Sequence, residues 1–209
     1  MKGTHMLTLF HAPMSRSTRL VTLVDELSAR DAVNIRIVNV QRRDGQGAVD
    51  PDNPHPEKKV PVLDHDGTVI TESIAIAIHL CDLFPKAAMM PEVGTPERGA
   101  CLQWLAWNAG VVEPVLVAKL SGIEHPGLQS SFRGWDEVIG RLETALDGSD
   151  WLMGDRFTVA DIIVHSSFSW MPDLLPDHTG IQDWHNRMMA RPATQRAWQD
   201  DQALIKKML

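Results

Sequence analysis

The spacing of apolar residues changes once along the chain and predicts two differently built parts. In the first part, short apolar runs alternate with polar residues and predict strands at Leu7–His11 and Val33–Val40. Between them, the positions from Leu20 to Leu27 recur at helical spacing, and Asp31 with its neighbours ends that helix. After about residue 95, apolar residues recur every three or four positions, which predicts helices throughout.

A hairpin is predicted in the stretch KVPVLDHDGTVITES, which runs from residue 59 to 73. Its first strand contains Val60, Val62 and Leu63, Asp66-Gly67 forms a tight turn, and Thr68–Thr71 returns. Glu72 and Ser73 then open a helix that extends to Leu83. The preceding segment is rich in Gly, Pro, Asp and Asn and predicts a loop with at most a short helix, so the predicted order is β-α-β-α-β-β-α.

Two backbone features of this hairpin suggest a ligand site. Pro61 cannot donate a hydrogen bond within a sheet, and its position predicts a cis Val60–Pro61 bond. Such a bond would leave the backbone of Val60 free to pair with an extended peptide. The helix that follows begins at Glu72 and Ser73, and a helix N-terminus attracts carboxylates.

The second part is predicted to be a series of helices after a linker at residues 85–95. Thr95-Pro96 starts the first of them, Pro114 is expected to kink it, and a further helix is predicted at Leu128–Leu146. The segment 157–162, FTVADI, predicts a capping box in which Thr158 and Asp161 bond reciprocally. Phe157 and Ile162 would form a hydrophobic staple around that box.

Composition narrows the class of protein. The chain has 209 residues, 44% of them hydrophobic, which is enough for a sizeable core, and no apolar run long enough for a membrane span. A net charge of -7 without a long basic run argues against nucleic acid as a partner and favours small molecules. The start lacks the apolar core of a signal peptide, so we expect a cytoplasmic protein. GTHM at residues 3–6 resembles a cloning remnant, with Met6 as the natural start.

Cysteine and histidine usage argues against disulfide and metal chemistry. Cys81 and Cys101 lie in apolar helical patterns and no CxxC motif is present, so neither a disulfide framework, a zinc site nor a dithiol redox centre is predicted. The histidines show no ligand spacing, and no metal site is predicted.

The motif V-P-V-L followed by E-S at the head of a helix resembles the glutathione-binding half of the glutathione S-transferase family. FTVAD at 157–161 and RPATQRAW at 191–198 resemble the capping motif and closing helix of that family's second domain. The resemblance, closest to bacterial, serine-type, theta-like and beta-like members, implies an α/β thioredoxin-like domain at residues 6–84, a linker at 85–95 and an all-α domain at 96–209.

The resemblance also implies a glutathione site. The backbone of Val60 would pair with the cysteinyl part of glutathione, and Glu72 and Ser73 would hold its γ-glutamyl end. Lys59 or Lys58 would meet the glycine carboxylate as a point charge. The segment from Asn53 to Pro61 is longer than in theta-like relatives, so the choice of lysine stays open.

Members of the family orient the glutathione thiol with a tyrosine, a serine or a cysteine, and this chain contains no tyrosine. In PMSRSTR, residues 13–19, counting back from Arg19 as in theta-like and delta-like sequences gives Ser15 as the catalytic residue, with Ser17 as the second candidate. Counting from Pro13 as in beta-class sequences puts the cysteine position on Arg16, which is not a thiol. Alternatively, either serine only caps the helix.

A serine at this position can supply the required free energy. Lowering a thiol pKa from about 8.5 to roughly 6.5 raises the thiolate fraction at neutral pH from about 3% to about three quarters and needs about 2.7 kcal/mol. A hydrogen bond to a charged sulfur contributes about 1.5 to 3 kcal/mol, and a helix N-terminus about 0.3 to 1.

The implied function is a glutathione S-transferase-like detoxification enzyme with glutathione as co-substrate and a small hydrophobic electrophile as the second substrate. A glutathione-dependent peroxidase or disulfide reductase and a non-catalytic glutathione-binding or regulatory relative are the alternatives. Relatives are usually homodimers. The residues expected to form the wall of the second-substrate site are Trp104, Trp107, Asn108, Val111, Val112 and Glu113. The alternative for the two tryptophans is a place in the core or at a subunit contact.

Overall fold

The structure is a computed structural model that describes residues 6–42, 45–169 and 171–208. Its contacts divide the chain into two compact units, Met1–Ala87 with Arg191–Leu209 and Ala88–Ala190. The segment that resembles a cloning remnant lies outside the described residues, apart from Met6.

The first unit is a four-stranded sheet with helices. Its elements are β1 (Leu7–His11), α1 (Thr18–Glu26), β2 (Val33–Ile37), β3 (Val62–His65), β4 (Thr68–Thr71), α2 (Ser73–Leu83) and a short 3-10 turn, Pro85–Ala87. The strand order is β2-β1-β3-β4. β1 pairs parallel with β2 and antiparallel with β3, and β3 pairs antiparallel with β4. This small mixed sheet confirms the predicted α/β thioredoxin-like fold.

The register of the sheet gathers several chain segments at one edge. Phe10 lies opposite Val62, and Val62 lies opposite Thr71. The end of β1, the start of β3 and the end of β4 therefore share an edge. Three segments therefore lie at this end of the sheet: the loop after β1, the Val60–Pro61 bond before β3 and the N-terminus of α2.

The hairpin was predicted closely, and the segment before it was not. Asp66 and Gly67 both have positive φ, 52° and 86°, as a two-residue hairpin turn requires. However, β2 ends at Ile37 rather than Val40, and the described residues between β2 and β3 contain no helix. The predicted second helix is therefore wrong, because the prolines at 51, 54 and 56 interrupt helical hydrogen bonding in this segment.

The second unit is helical, as predicted. It contains α3 (Pro96–Trp107), a π-helical turn (Asn108–Val112), α4 (Glu113–Leu120), α5 (Pro126–Phe132), α6 (Trp135–Leu146), α7 (Val159–Ser169), a 3-10 turn (Pro172–Leu174) and α8 (Thr179–Ala190). The single helix predicted at 128–146 is wrong. Arg133 adopts a positive φ of 63°, and Glu137 accepts a hydrogen bond from the Gly134 amide, so a new helix starts there.

The helical stretch Pro96–Leu120 is long and apolar enough, by length and composition alone, to cross a membrane. It contains Glu97, Arg98, Glu113 and Lys119, so it is not an uninterrupted apolar run of the kind that the sequence analysis considered. An interior helix of a globular domain passes the same criterion. Here 39% of the apolar window is buried, α7 packs on α3, and α6 packs on α4.

The last helix, α9 (Pro192–Met208), belongs to the first unit and packs on α1. Arg191 donates two hydrogen bonds of 2.7 Å to the two carboxylate oxygens of Glu26, and Arg30 pairs with Asp200 at 3.3 Å. The compact units therefore differ from the predicted division into residues 6–84, 85–95 and 96–209. That division follows the order of the sequence and stays a prediction.

Candidate active site

Four polar side chains form a continuous hydrogen-bonded row behind the loop that follows β1. Asp201 Oδ1 lies 2.8 Å from His11 Nε2, and His11 Nδ1 lies 2.7 Å from Ser17 Oγ. Ser17 Oγ lies 2.7 Å from Ser15 Oγ. The row connects α9, the end of β1 and the start of α1.

Asp201 also fixes the loop itself. Its Oδ2 accepts hydrogen bonds of 2.7 Å from the Met14 amide and from the Thr18 hydroxyl. Burial alone would raise the pKa of Asp201, but the hydrogen bonds from His11, Thr18 and Met14 outweigh it and hold that pKa below its ordinary range. The carboxylate is therefore ionised, although the residue has no exposed surface.

The two candidate serines differ in accessibility. Ser15 is partly exposed, donates to the Ala12 carbonyl at 2.7 Å and accepts from the Ser17 amide at 3.1 Å. Ser17 is 0% exposed. It occupies the N-cap position of α1, yet its hydroxyl makes no capping bond. The simple capping role is therefore wrong for Ser17, because its hydroxyl is turned toward His11.

The Val60–Pro61 bond is cis, as predicted. Val60 is partly buried and packs against Phe10, Val38 and Val62. It precedes the first paired residue of β3, and no backbone hydrogen bond joins it to another of the described residues. Its peptide groups are thus placed to pair with an extended ligand at the edge of the sheet.

Glu72 and Ser73 lie at the N-terminus of α2. Glu72 has φ 68° and ψ 120°, an unfavourable conformation for a residue with a side chain, and its side chain makes no capping bond. Ser73 is buried, and its Oγ accepts a hydrogen bond of 2.8 Å from the Arg19 guanidinium. Arg19, 6% exposed, therefore joins α1 to the start of α2.

The two lysines proposed for the glycine carboxylate have different partners. The Lys58 ammonium donates to the carbonyls of Asn53, at 2.7 Å, and Pro51, at 3.3 Å. Lys59 is exposed and forms an ion pair with Glu57. Lys58 stabilises its own loop, which leaves Lys59 as the more accessible of the two.

The residues suggested for the second-substrate wall lie in the second unit, and several are interior. Trp107, Asn108 and Val112 are buried. The Arg141 guanidinium lies 4.7 Å from the Trp104 ring centre and 4.6 Å from that of Trp107, a cation-π contact with both rings. Burial of Trp107 fits the core alternative, while Trp104, Val111 and Glu113 keep partial exposure.

The part of the chain that the structure describes contains neither a metal-binding cluster nor an accessible cysteine. There, no group of three or more His, Cys, Asp or Glu side chains is placed to hold a metal ion. Cys81 and Cys101 are buried and form no disulfide, and burial raises the pKa of the Cys101 thiol. Buried thiols of this kind are inert.

Sequence reasoning missed His11 and Asp201, and it used Arg19 only as an alignment landmark. His11 and Asp201 are 190 positions apart, so no local spacing relates them. The arginine carried a weak signal, because it lies in the apolar pattern of α1 at a position where a charge needs a buried partner.

The comparisons with known proteins agree with this geometry. Residues 5–82 match the family model described as Glutathione S-transferase, N-terminal domain, and residues 115–192 match Glutathione S-transferase, C-terminal domain. The chain therefore belongs to the glutathione S-transferase family.

Individual relatives span nearly the whole chain. Disulfide-bond oxidoreductase YfcG of Escherichia coli (strain K12) is 27% identical over 98% of this chain and 97% of its own length. Glutathione S-transferase D7 of Drosophila melanogaster is 26% identical over 85% of this chain and 82% of its own. A crystal structure of a glutathione transferase from Methylococcus capsulatus (strain Bath) has 28% identity and a TM-score of 0.78, covering 95% of this chain and 100% of that one.

Proposed function

We propose that the protein is a serine-type glutathione transferase in which the Ser15 hydroxyl stabilises the thiolate of bound glutathione. The thiolate then attacks an electrophilic carbon of a hydrophobic second substrate. The observation that carries the proposal is the shared sheet edge, where the partly exposed Ser15, the unpaired backbone of Val60 and the start of α2 come together. Relatives and a structural neighbour named as glutathione transferases support the activity.

Each part of glutathione has a proposed partner in the first unit. The backbone of Val60 pairs with the cysteinyl residue, and Glu72 and Ser73 bind the γ-glutamyl group at the N-terminus of α2, where free amides favour a carboxylate. Lys59 meets the glycine carboxylate in exchange for Glu57.

The test is a pH titration of the thiol of bound glutathione, followed by the ultraviolet absorbance of its thiolate. We expect the parent protein to lower the thiol pKa well below that of free glutathione and Ser15→Ala to lose the shift. Ser130→Ala is the matched control, because that exposed hydroxyl donates to the Gly127 carbonyl of its own helix. If the pKa shift persists in Ser15→Ala, a group other than Ser15 stabilises the thiolate.

A second candidate function is disulfide reduction with glutathione, and the relative that favours it is YfcG, which matches along almost its full length. Because Cys81 and Cys101 are buried, the electrons would come from glutathione and not from protein thiols. Turnover with chlorodinitrobenzene supports the transferase. Turnover with a low-molecular-weight disulfide and none with the aryl halide supports the reductase.

The assembly and location are also proposals. A homodimer is expected from the family, and sedimentation analysis would then give twice the chain mass of 23.3 kDa. A cytoplasmic location fits Cys81 and Cys101, which form no disulfide. Fractionation of the source cells tests it.

A further inference from the structure

The row from Asp201 to Ser15 has the chemistry of a proton relay as well as the geometry of a scaffold. We propose that His11, oriented by Asp201, accepts the proton that the glutathione thiol loses, and that Ser15 and Ser17 transfer it. The inference rests on the proposed function, since it requires glutathione to bind beside Ser15.

Asp201 determines the tautomer of His11. An ionised carboxylate can only accept hydrogen bonds, so His11 Nε2 must carry a hydrogen to bond Asp201 Oδ1 at 2.8 Å. In the neutral imidazole, Nδ1 is then the acceptor. Its partner at 2.7 Å is Ser17 Oγ, so Ser17 donates its hydrogen to His11.

The remaining bonds of Ser17 follow from this assignment. With its own hydrogen on His11, Ser17 Oγ accepts from the Ala12 amide at 3.2 Å and has room to accept from Ser15 at 2.7 Å. Ser15 can also donate to the Ala12 carbonyl at 2.7 Å. With His11 neutral, every hydroxyl hydrogen in the row is therefore directed away from the ligand.

Transfer of one proton from the thiol to His11 reverses the direction of the hydrogen bonds along the row. The thiol S–H bond breaks and its proton bonds to Ser15 Oγ, the Ser15 hydrogen moves to Ser17 Oγ, and the Ser17 hydrogen moves to His11 Nδ1. The products are a thiolate and an imidazolium, so charge and protons balance without another reactant. The Ser15 hydroxyl now donates to the thiolate, and the imidazolium lies against the Asp201 carboxylate, which stabilises it.

Because His11 is buried, a proton from glutathione can reach it only through the two serines. Burial of Ser17 also argues against a hydrolase-type role for the row. His11 is 2% exposed and Ser17 is 0% exposed, so neither can touch glutathione, whereas Ser15 is partly exposed. A Ser-His-Asp arrangement also occurs in hydrolases, where the serine bonded to histidine attacks the substrate. Ser17 is too buried for such an attack.

The charged groups near His11 are otherwise occupied. Asp201 is the charged side chain that contacts the ring. Other ionisable side chains on the elements around it contact other groups: Arg19 with Ser73, Arg42 with the Pro13 carbonyl, Glu26 with Arg191, and Asp25 and Asp200 with Arg30. The Arg16 side chain is exposed.

The experiment compares the parent with His11→Asn and Ser17→Ala, using glutathione and S-methylglutathione, which has no thiol proton. Asparagine can keep an oxygen near the position of Nδ1 but cannot take up the proton. We expect both variants to bind S-methylglutathione as the parent does. With glutathione, we expect the thiol pKa to rise by at least about one unit, a tenfold loss of thiolate at low pH.

The destination of the proton is measured on the parent itself. Calorimetry in buffers of different ionisation enthalpy gives the protons released on binding, and nitrogen NMR reports the state of His11 Nδ1. We expect that fewer protons are released to the buffer than thiolates are formed. We also expect His11 Nδ1 to become protonated when glutathione binds, but not when S-methylglutathione binds. A full proton released per thiolate, or an unchanged thiol pKa in His11→Asn, overturns the relay and leaves the proposed function intact. Failure of the parent to bind glutathione overturns the proposed function and the relay with it.

Discussion

Arg19 is a buried cation of the first unit, and its guanidinium donates a hydrogen bond to the neutral Ser73 hydroxyl. A hydrogen bond from a charged donor contributes about 1.5 to 3 kcal/mol, enough to hold the Ser73 hydroxyl in one orientation. If Ser73 binds the γ-glutamyl group, Arg19 is a positioning residue for the ligand.

We predict that Arg19→Gln weakens glutathione binding about tenfold and that the double variant with Ser73→Ala is little weaker than Ser73→Ala alone. Residues that act through one another give non-additive effects. Calorimetric dissociation constants for the two single variants and the double variant provide the test, with the exposed Arg196→Gln as control. Additive losses would mean that Arg19 supports the site independently of Ser73.

Asp201 should make stability depend on pH in acid. Its pKa in the folded protein lies below the ordinary 3.8, so the folded state binds the proton less readily than the unfolded state. The stabilisation is fully present above that ordinary value and is lost as the pH falls through the folded-state pKa.

The prediction is that the difference in free energy of unfolding between the parent and Asp201→Asn is constant near neutral pH and shrinks below about pH 4. Urea unfolding across this range measures it. Asp200→Asn is the matched control, since the neighbouring carboxylate is exposed and pairs with Arg30 only at 3.3 Å. The same pH dependence of unfolding in both variants would contradict a lowered pKa of Asp201 as its cause.

The N-terminus of α7 shows how much one carboxylate can organise within an element. The capping box was predicted and is present, with Thr158 Oγ1 accepting from the Ala160 amide and Asp161 Oδ2 accepting from the Thr158 amide. In addition, Asp161 Oδ1 accepts from the Leu152 amide at 2.9 Å and from Trp184 Nε1 at 3.1 Å. Burial raises the pKa of Asp161, although these hydrogen bonds oppose that shift.

We predict that Asp161→Ala lowers the free energy of unfolding by about 3 to 5 kcal/mol. It leaves three buried N–H donors without an acceptor, and each unsatisfied donor costs about 1 to 3 kcal/mol. Asp155→Ala, an exposed aspartate six positions earlier, should change it by less than about 0.5 kcal/mol. Chemical unfolding of both variants decides the matter. A loss below about 1 kcal/mol in Asp161→Ala would show that water or other groups replace the carboxylate.

Elements encoded by neighbouring residues were the predictable ones. The Asp66-Gly67 hairpin, the cis bond before Pro61 and the helix Ser73–Leu83 each follow from a few adjacent side chains. The break at Arg133 and Gly134 was missed, because the surrounding apolar spacing continues through it. Before Pro114 the chain forms a π-helical turn at Asn108–Val112 and then resumes its helix, a local rearrangement that a kink prediction does not specify.

At the scale of the whole molecule, the first unit is discontinuous in sequence. α9 packs on α1 and contributes Asp201 to the candidate site. Its place was not predictable, because docking of a helix is decided by surfaces that only the folded sheet brings together. The closing helix was recognised from RPATQRAW, but its partner was not.

We predict that α9 opens together with α1 in native-state hydrogen exchange. Glu26→Gln should lower the opening free energy of both helices by about 1 to 2 kcal/mol, between the values for exposed ion pairs and for hydrogen bonds to charged groups. Helices α6 and α8 should exchange as in the parent. Exchange of α9 in step with α8 instead would place the last helix with the second unit.

The position of Asp201 has a consequence for synthesis. A ribosome that adds about 5 to 20 residues per second needs roughly 10 to 40 s to pass from His11 to its carboxylate partner, 190 residues later. Until then the nascent chain can form the β1–β4 sheet but has no anion to orient the imidazole. If His11 accepts the thiol proton as proposed, an incomplete polypeptide would lack the carboxylate that orients His11, and thiol activation would begin only after α9 has been synthesised.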